Sequence, residues 1–221
     1  MAMKEIDYQI HDAIMERPYP FSIGDETFYI YPQTLGKMFL CQRAIEQMGI
    51  KHEHLKINTT IEIIRITREH RDLCCTIMAY MTARNEYYDV FDLPAFDRRK
   101  TVFMKQSDED LASVLMLMLT TDKTAQFIKY LGIDEEQRNM QKVMKVKSKS
   151  DKNNYTFGGV SVYGSLIDVA MERYKMTKRQ VVWEIDYTSL RLLLADKVNS
   201  VYVTDEERKK IHITKDRTKI K

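Results

Sequence analysis

The chain of 221 residues is 44% hydrophobic and 30% charged, a balance typical of a globular protein with a substantial core. Its seven glycines and four prolines are too few for a turn-rich all-β sandwich, and they argue against an enzyme built on glycine loops. With 35 basic and 32 acidic residues, the net charge of +3 is too balanced to indicate nucleic-acid binding by itself. The composition therefore predicts a mainly α-helical protein.

The basic residues are concentrated in two stretches of the chain. Residues 142–152 contain five lysines and one aspartate, and residues 204–221 contain seven basic and four acidic residues. The rest of the chain therefore carries a net charge of −4. This distribution predicts a mildly acidic body with a basic linker at 145–154 and a basic, flexible tail at 205–221.

The cysteines and the apolar stretches indicate a cellular compartment. The chain has three cysteines, an odd number, and two of them, Cys74 and Cys75, are adjacent; the third is Cys41. We therefore expect no disulfide framework, and we expect the protein to be in a reducing compartment. The N-terminus has no apolar region typical of a signal peptide. The longest apolar stretch, Leu111–Leu119, has half the length that a membrane span needs. We therefore predict a cytoplasmic protein.

The first elements are marked by apolar spacing and by turn residues. Residues 1–16 have apolar side chains at helical spacing, and Pro18 ends this predicted helix. Two β-prone runs flank Gly24, so Phe21–Ile30 is predicted to form a β-hairpin. The helical period returns over Thr34–Met48.

Two glycines mark predicted helix ends in the same way. Gly49 and Gly132 each follow an apolar helical pattern and precede an isoleucine, the order of a left-handed C-terminal stop. Between them, residues 58–85 are predicted to form one bent helix or two, because residues 68–72 are polar all round. The other predictions here are a loop at Leu93-Pro94 and helices at 107–119, 122–131 and 134–144.

The residues beyond the linker have their own predicted elements. A second hairpin is predicted at 155–163, followed by a helix over 163–174. The capping-box sequence Thr177–Gln180 opens a second helix, and a third covers 187–201. The predicted organisation is a helical-bundle-like domain at 1–144 with an N-terminal hairpin, the linker at 145–154, a small hairpin plus three-helix module at 155–204, and the tail at 205–221.

The sequence contains no motif that indicates catalysis or a bound cofactor. His70 and Cys74 share a helix face, but zinc needs three or four ligands and the sequence has no CxxC or HExxH pattern. The glycines of residues 158–164 are not in the order of a phosphate-binding loop. We therefore predict that the protein is not an enzyme and has no catalytic residue, cofactor or metal site.

Nucleic-acid binding is the alternative hypothesis. Residues 166–194 have the outline of a helix-turn-helix, in which Lys178, Arg179 and Arg191 would contact phosphates. The segment in the position of the recognition helix is mostly apolar, however, whereas a reading helix needs polar side chains toward the base edges. The aromatic residues clustered in the same region suit a protein-binding surface, but a position in the core is the stronger expectation for most of them, and Trp183 fits either role equally.

The C-terminal part resembles a known family. The segment 163–198 reads YGSLIDVAMERYKMTKRQVVWEIDYTSLRLLLADKV, in which a helix ends in the pair Arg173-Tyr174, a capped short helix carries Trp183, and a Tyr/Leu-rich helix begins at Tyr187. This order is similar to the C-terminal segment of tail-assembly chaperone-like proteins of bacteriophages and prophages, especially those of Bacteroidetes. Phe21–Met38 is similar to the hairpin-then-helix opening of such proteins.

The resemblance implies a non-enzymatic function. Chaperones of this family coat the long helical tape-measure protein and keep its apolar surface soluble until tail-tube subunits replace them. It implies that this chain binds the tape-measure protein or another tail protein, and also itself, in the host cytoplasm, without a cofactor, nucleic acid or a membrane. The residues predicted to contact the partner are Tyr163, Arg173, Tyr174, Trp183, Tyr187, Leu190 and Leu194.

Overall fold

The computed structural model describes residues 4–50, 53, 57–121, 123–150, 162–195 and 201–211. This part of the chain forms α-helices, one π-helical turn and one two-stranded antiparallel sheet, which confirms the predicted mainly-α fold with a small hairpin. The N-terminal bundle consists of α1 (Glu5–Ile14), β1 (Tyr19–Ile23), β2 (Glu26–Ile30), α2 (Leu35–Gln47), α3 (Thr59–Glu69), α4 (Arg71–Met81), α5 (Tyr87–Val90), α6 (Leu93–Met104), α7 (Asp108–Thr121), α8 (Thr124–Tyr130) and α9 (Ile133–Ser150).

A smaller unit follows the N-terminal bundle in the chain. We call it the C-terminal module and define it as residues 162–195, which contain α10 (Val162–Tyr174), the π-helical turn (Gln180–Glu184) and α11 (Tyr187–Ala195). A last short helix, α12 (Asp205–Lys210), comes after it. Among the helices of the described ranges, none combines the length and the apolar content needed to cross a membrane.

The N-terminal hairpin forms where the β-prone runs predicted it. Tyr19 pairs with Ile30 and Ile23 with Glu26, so the strands begin two residues earlier than the predicted Phe21. Gly24 has φ +56°, a conformation that glycine adopts without the steric cost of a Cβ. The hairpin lies against α6 through the contact of Phe28 with Phe103, and α2 begins five residues after the end of β2.

The predicted helix signals are confirmed at several ends. The Thr34 hydroxyl accepts a hydrogen bond from the Lys37 backbone N–H at 3.4 Å and caps α2. Gly49 and Gly132 both lie in the left-handed region, at φ +58° and +69°. The chain breaks at His70 (φ −127°, ψ 37°), so residues 58–85 contain two helices rather than one bent helix.

The loop predicted at Leu93-Pro94 is wrong. These residues open α6, because the Asp92 carboxylate accepts a hydrogen bond from the Ala95 backbone N–H at 3.2 Å and caps the helix. Proline in the first turn loses no helical hydrogen bond, since the N–H groups of that turn have no partner within the helix. The proline was therefore a start signal rather than a stop signal.

The predicted linker needs a similar correction. Helix α9 continues through Ser150 and so includes the first six residues of 145–154. No glycine or proline interrupts Ile133–Ser150, and its acidic first turn and lysine-rich later turns complement the helix dipole. The remainder of the linker, and most of the hairpin predicted at 155–163, lie outside the described residues; Val162 and Tyr163 belong to α10.

The tail contains an element that the prediction missed. Thr204 and Glu207 form a reciprocal capping box, with backbone-to-side-chain hydrogen bonds of 3.0 and 3.3 Å, at the start of α12. Acidic residues in its first turn and basic residues in its last turn add to the helix stability. Residues 205–210 of the predicted flexible tail are therefore helical, and residues 212–221 lie outside the described part.

Two hydrophobic cores hold these elements together. The larger core lies between the hairpin, α2, α3, α4, α6 and α7, and Phe103 is fully buried in it with its ring 5.1 Å from that of Phe28. The smaller core lies between α2 and the C-terminal module, and its buried residues are Leu35, Ala170, Val181 and Leu190. Because Leu35 belongs to α2, the C-terminal module completes its core only by packing against the N-terminal bundle.

Candidate protein-binding surface

The C-terminal module is attached to the N-terminal bundle through the start of α2. The Tyr187 backbone N–H donates to the Gln33 carbonyl oxygen at 2.7 Å, and Thr34 and Asp186 form an isolated antiparallel bridge. Both Thr34 and Asp186 are buried, at 0% and 1% exposed. Backbone pairing between segments that are about 150 residues apart in sequence therefore fixes where the module lies.

Trp183 packs directly on α2 at Gly36. A Cβ at Gly36 would lie 2.3 Å from two carbon atoms of the Trp183 ring, so only glycine permits this contact. The other neighbours of the indole are Tyr87 and Phe91, whose rings meet it edge-on at centroid distances of 5.7 and 5.1 Å. Trp183 thus joins the module to α2 and also takes part in an aromatic surface with α5.

This aromatic surface contains a cavity of about 390 Å³, which we call the aromatic dimple and define by its lining residues Tyr87, Lys178, Arg179, Val182 and Trp183. Four of these residues come from the C-terminal module and one from α5, so the dimple exists only when the module is docked on the bundle.

The rim of the dimple is apolar and positively charged. Tyr88 and Phe91 both contact the ring of Tyr87 and are 70% and 44% exposed, which is unusual for clustered large aromatic side chains. The Arg179 guanidinium lies over the rings of Tyr87 and Tyr88, at 5.2 and 4.5 Å from their centroids. A concave apolar site beside cations can accept an apolar side chain that has a carboxylate next to it.

The structure separates the seven predicted partner residues into groups. Trp183 lies in the aromatic dimple. Arg173 is exposed and stacks on Tyr174 at 5.1 Å, while the Tyr174 hydroxyl donates to the Leu193 carbonyl oxygen at 2.6 Å. This second pair lies on α10 and is not among the dimple residues.

The remaining predicted residues lie mainly in the core of the C-terminal module. Leu190 is 0% exposed, so its prediction as a surface contact is wrong: it packs against Leu35 of α2. Tyr187 and Leu194 are half-buried against the same core, and the Tyr187 hydroxyl accepts a hydrogen bond from Arg191 at 2.9 Å. The side chain of Tyr163 lies outside the described part of the structure.

Sequence reasoning missed the contribution of α5. Tyr87, Tyr88 and Phe91 lie about 90 residues before Trp183, and no spacing rule connects the two segments. The only sequence signal was the concentration of aromatic residues in a charged stretch, which is unusual for a solvated loop.

A second concave feature is a cleft of about 530 Å³ between α1, the hairpin, α7, α8 and the start of α11. Asp186 is among its lining residues and is the N-cap of α11, where its Oδ1 accepts from the Ser189 backbone N–H at 2.9 Å. Its Oδ2 has no hydrogen-bond partner among the described residues. Burial raises the pKa of Asp186 above its usual range.

Buried ionisable groups continue from this cleft toward α2. Burial and the nearby Asp186 carboxyl raise the pKa of Glu16. The Glu16 carboxyl also lies beside the Asn85 side chain, whose Oδ1 accepts a hydrogen bond from Lys37 Nζ at 2.8 Å. Lys37 is fully buried and also donates to the Ala83 carbonyl oxygen, and its burial lowers the pKa of its ammonium group to about 7.

The described cysteine and histidine residues are not arranged as a site. Within the described ranges, no three His, Cys, Asp or Glu side chains are placed to hold a metal ion together. Cys41, Cys74 and Cys75 are free thiols in the larger core, and burial raises the pKa of Cys41 and Cys74 to about 12. Thiols with such high pKa values are poor nucleophiles, because the thiolate is the reactive form.

Comparisons of the chain with protein-family models, with curated proteins and with solved structures gave no match. The aromatic dimple and the docked C-terminal module are therefore the features on which a functional proposal is built.

Proposed function

We propose that the protein binds an apolar helical segment of another protein in the aromatic dimple, as a chaperone of the tail-assembly type would bind the tape-measure protein. The observation that carries the proposal is the cluster of Trp183, Tyr87, Phe91 and Tyr88, which is large, aromatic, partly exposed and concave. Buried aromatic anchors of this kind supply most of the binding energy at protein interfaces. The proposed role is non-enzymatic and takes place in the host-cell cytoplasm.

The charged residues at the rim of the aromatic dimple indicate which kind of partner segment would bind there. Arg179 is paired with Glu184 at 3.5 Å, whereas Lys178 at the same rim is exposed and forms no ion pair with a described residue. A bound segment with an acidic residue beside its apolar anchor would pair with Lys178 and would be steered toward the dimple. The proposed partner segment is therefore an amphipathic helix with acidic flanks.

Duplex DNA is a weaker candidate. The segment in the recognition-helix position is a five-residue π-helical turn, in which Val181 and Val182 are buried. Arg179, which would have to contact phosphate, is stacked on two tyrosine rings. These contacts favour the protein partner over the nucleic acid, which also needs a polar reading face.

Co-expression with a helical tape-measure fragment tests the proposal. The full-length chain is expected to raise the soluble fraction of the fragment and to co-purify with it. Phe91→Ala removes an exposed rim aromatic and is expected to weaken binding by about 30-fold, since truncating an interface anchor costs about 2 kcal/mol or more. Lys178→Glu is expected to weaken binding most at low salt.

Leu119→Ala is the matched control, because Leu119 is an exposed apolar residue of α7 that does not line the dimple. It is expected to bind like the wild type. Equal binding by Phe91→Ala and the wild type, or no effect of the chain on fragment solubility, would contradict the proposal. Salt-sensitive binding of duplex DNA that is lost in Lys178→Glu would favour the alternative.

A further inference from the structure

The chain itself contains a segment with the chemistry that the aromatic dimple would accept. The Tyr202 side chain is 81% exposed, although it is aromatic and belongs to the described part of the chain. It stands just before α12, whose first two residues, Asp205 and Glu206, are exposed carboxylates. An aromatic anchor and two acidic groups therefore lie within five consecutive residues. We call residues 201–207 the acidic tyrosine segment.

The local structure holds Tyr202 out toward solvent. Val201 and Val203 are half-buried whereas Tyr202 between them is exposed, the alternation expected of an extended chain. The reciprocal hydrogen bonds of Thr204 and Glu207 fix the start of α12, and α12 lies beside α9. A segment that is already ordered in this way loses little further conformational entropy when it binds.

No other strongly exposed apolar residue of the described ranges has these properties. The other large apolar side chains that are more than two-thirds exposed there are Met15, Ile57, Tyr88 and Leu93. Tyr88 is itself at the rim of the dimple, and the remaining three are not aromatic. Within the described residues, Tyr202 is therefore the one aromatic side chain away from the dimple that is exposed to this extent.

The charges of the acidic tyrosine segment complement those of the dimple. Lys178 is exposed at the rim, and it forms no ion pair with a described residue; the same holds for Asp205 and Glu206. The basic residues of α12 lie in its last turn, at the end that is farther from Tyr202 along the chain. Opposite charges at the rim of an apolar contact orient the two surfaces and speed their association.

The shape of the dimple suits one large side chain. Its cavity of about 390 Å³ is near the lower end of ligand-pocket volumes, and its walls include the rings of Tyr87 and Trp183. A tyrosine ring packs favourably edge-on against such rings, while its hydroxyl reaches water at the open side. Tyr202 is exposed in the single chain, so it does not occupy the dimple of its own chain.

We propose that the aromatic dimple of one copy of the protein binds Tyr202 of a second copy, and that a partner segment displaces this contact. The proposal rests on the proposed function in that both use the same dimple. The donor segment and the dimple are different surfaces, so the contact is heterologous: each added copy leaves one free dimple and one free Tyr202 unless a ring closes. The protein without a partner would thus protect its own aromatic surface.

Sedimentation velocity of the full-length chain over a wide range of concentration measures this association. The mass of the wild type is expected to rise with concentration, and less steeply at high salt. Tyr202→Ala is expected to raise the dissociation constant about 30-fold, as truncation of an interface anchor does. Tyr8→Ala is the matched control, because Tyr8 is an exposed tyrosine of α1 that does not line the dimple. It is expected to associate like the wild type.

A mixture of two variants tests which surfaces meet. Tyr202→Ala keeps an intact dimple, and Lys178→Glu keeps an intact acidic tyrosine segment. Each variant alone is expected to stay monomeric at concentrations where the wild type associates. The mixture is expected to form a complex of two copies and nothing larger, since it has one intact surface of each kind. Circular dichroism of each variant checks that both are folded.

A charge exchange within one chain tests the pairing at the rim. Asp205→Lys is expected to weaken association, and the double variant Asp205→Lys with Lys178→Glu is expected to recover most of it. A wild type of constant mass at all concentrations, a Tyr202→Ala variant that associates like the wild type, or a mixture that stays monomeric would each overturn the proposal.

No other protein is present in these measurements, so they separate the two proposals. A chain that associates through Tyr202 but binds no tape-measure fragment retains the self-association and loses the proposed function. A chain that binds the fragment but is monomeric at all concentrations retains the function and loses the self-association. If both occur, added fragment is expected to dissociate the oligomer, and a fragment that binds while the oligomer persists would overturn the shared use of the dimple.

Discussion

The N-terminal bundle and the C-terminal module are both helical, but they are held together in different ways. Within the described residues, the larger core contains eighteen buried residues drawn from the hairpin and five helices, whereas the smaller core contains four, one of which is Leu35 of the bundle. Burial of apolar surface is the main favourable term in folding, and a unit with five buried apolar side chains of its own offsets little of its chain entropy. We therefore expect the bundle to fold alone and the module to depend on it.

This difference explains where the ionisable groups are found. The buried carboxylate of α3, Glu62, is paired with Arg65, whereas the junction with the module contains Asp186, whose Oδ2 has no hydrogen-bond partner among the described residues. A weakly held unit is also the one that supplies most of the aromatic dimple. The part of the molecule with the least stability thus carries the proposed function, as binding elements often do.

The largest expected effect is in the core of the bundle. Phe103→Ala removes a fully buried ring that packs on Phe28, and it should lower the free energy of unfolding by about 3–5 kcal/mol. Urea unfolding followed by far-UV circular dichroism measures the loss. A loss below about 1 kcal/mol would mean that this core is not what stabilises the bundle.

Leu190→Ala should affect the module alone. It removes a fully buried leucine side chain of the smaller core, at a cost of about 2–5 kcal/mol to the docked state. We expect Trp183 fluorescence to change at a lower urea concentration than the helical signal of the bundle. A single coincident transition for both signals would contradict the distinction between the two parts.

Lys37 gives a pH-dependent effect of intermediate size. Its pKa of about 7 in the folded chain lies below the ordinary 10.5, so the unfolded chain binds more protons between these values and stability rises with pH. Between pH 7 and pH 9 the wild type should gain about 2 kcal/mol from this group. Lys37→Met should lose that gain in stability. Urea unfolding of both chains at pH 7 and pH 9 measures it, and an equal gain in the wild type and the variant would contradict the role of Lys37.

Local sequence signals predict many of the helix ends, but they do not predict most of the residues of the candidate binding surface. Thr34, Gly49 and Gly132 act through their nearest neighbours in the chain, so their helix ends could be predicted. Leu93-Pro94 was misread because a proline at a helix start looks like a breaker until the Asp92 cap is recognised.

The parts that could not be predicted depend on contacts between distant segments. Lys37 is buried by the Ala83 carbonyl and Asn85, which lie 46 and 48 residues away. The packing of Trp183 on Gly36 joins residues from opposite ends of the chain. The local spacing of residues does not distinguish a buried lysine such as Lys37 from an exposed one. It also does not show that Trp183 contacts α5.

The smallest expected effect concerns surface charge on the bundle. Arg68 pairs with Asp108 at 3.2 Å and with Glu109 at 3.3 Å, but its side chain is 60% exposed. Exposed ion pairs contribute less than about 1 kcal/mol, so Arg68→Ala should change the unfolding midpoint little in either part. A loss comparable to that of Phe103→Ala would show that charge, rather than apolar burial, holds α3 to α7.

The most direct test is partner binding by Gly36→Ala. In an isolated helix this change is favourable by about 1 kcal/mol, but here the new Cβ would lie 2.3 Å from the Trp183 ring and would push the module off α2. No dimple residue is altered. We predict that the variant keeps the helical content of the bundle, has a more quencher-accessible Trp183, and fails to co-purify with the tape-measure fragment. Binding equal to that of the wild type, with Trp183 displaced, would contradict the account.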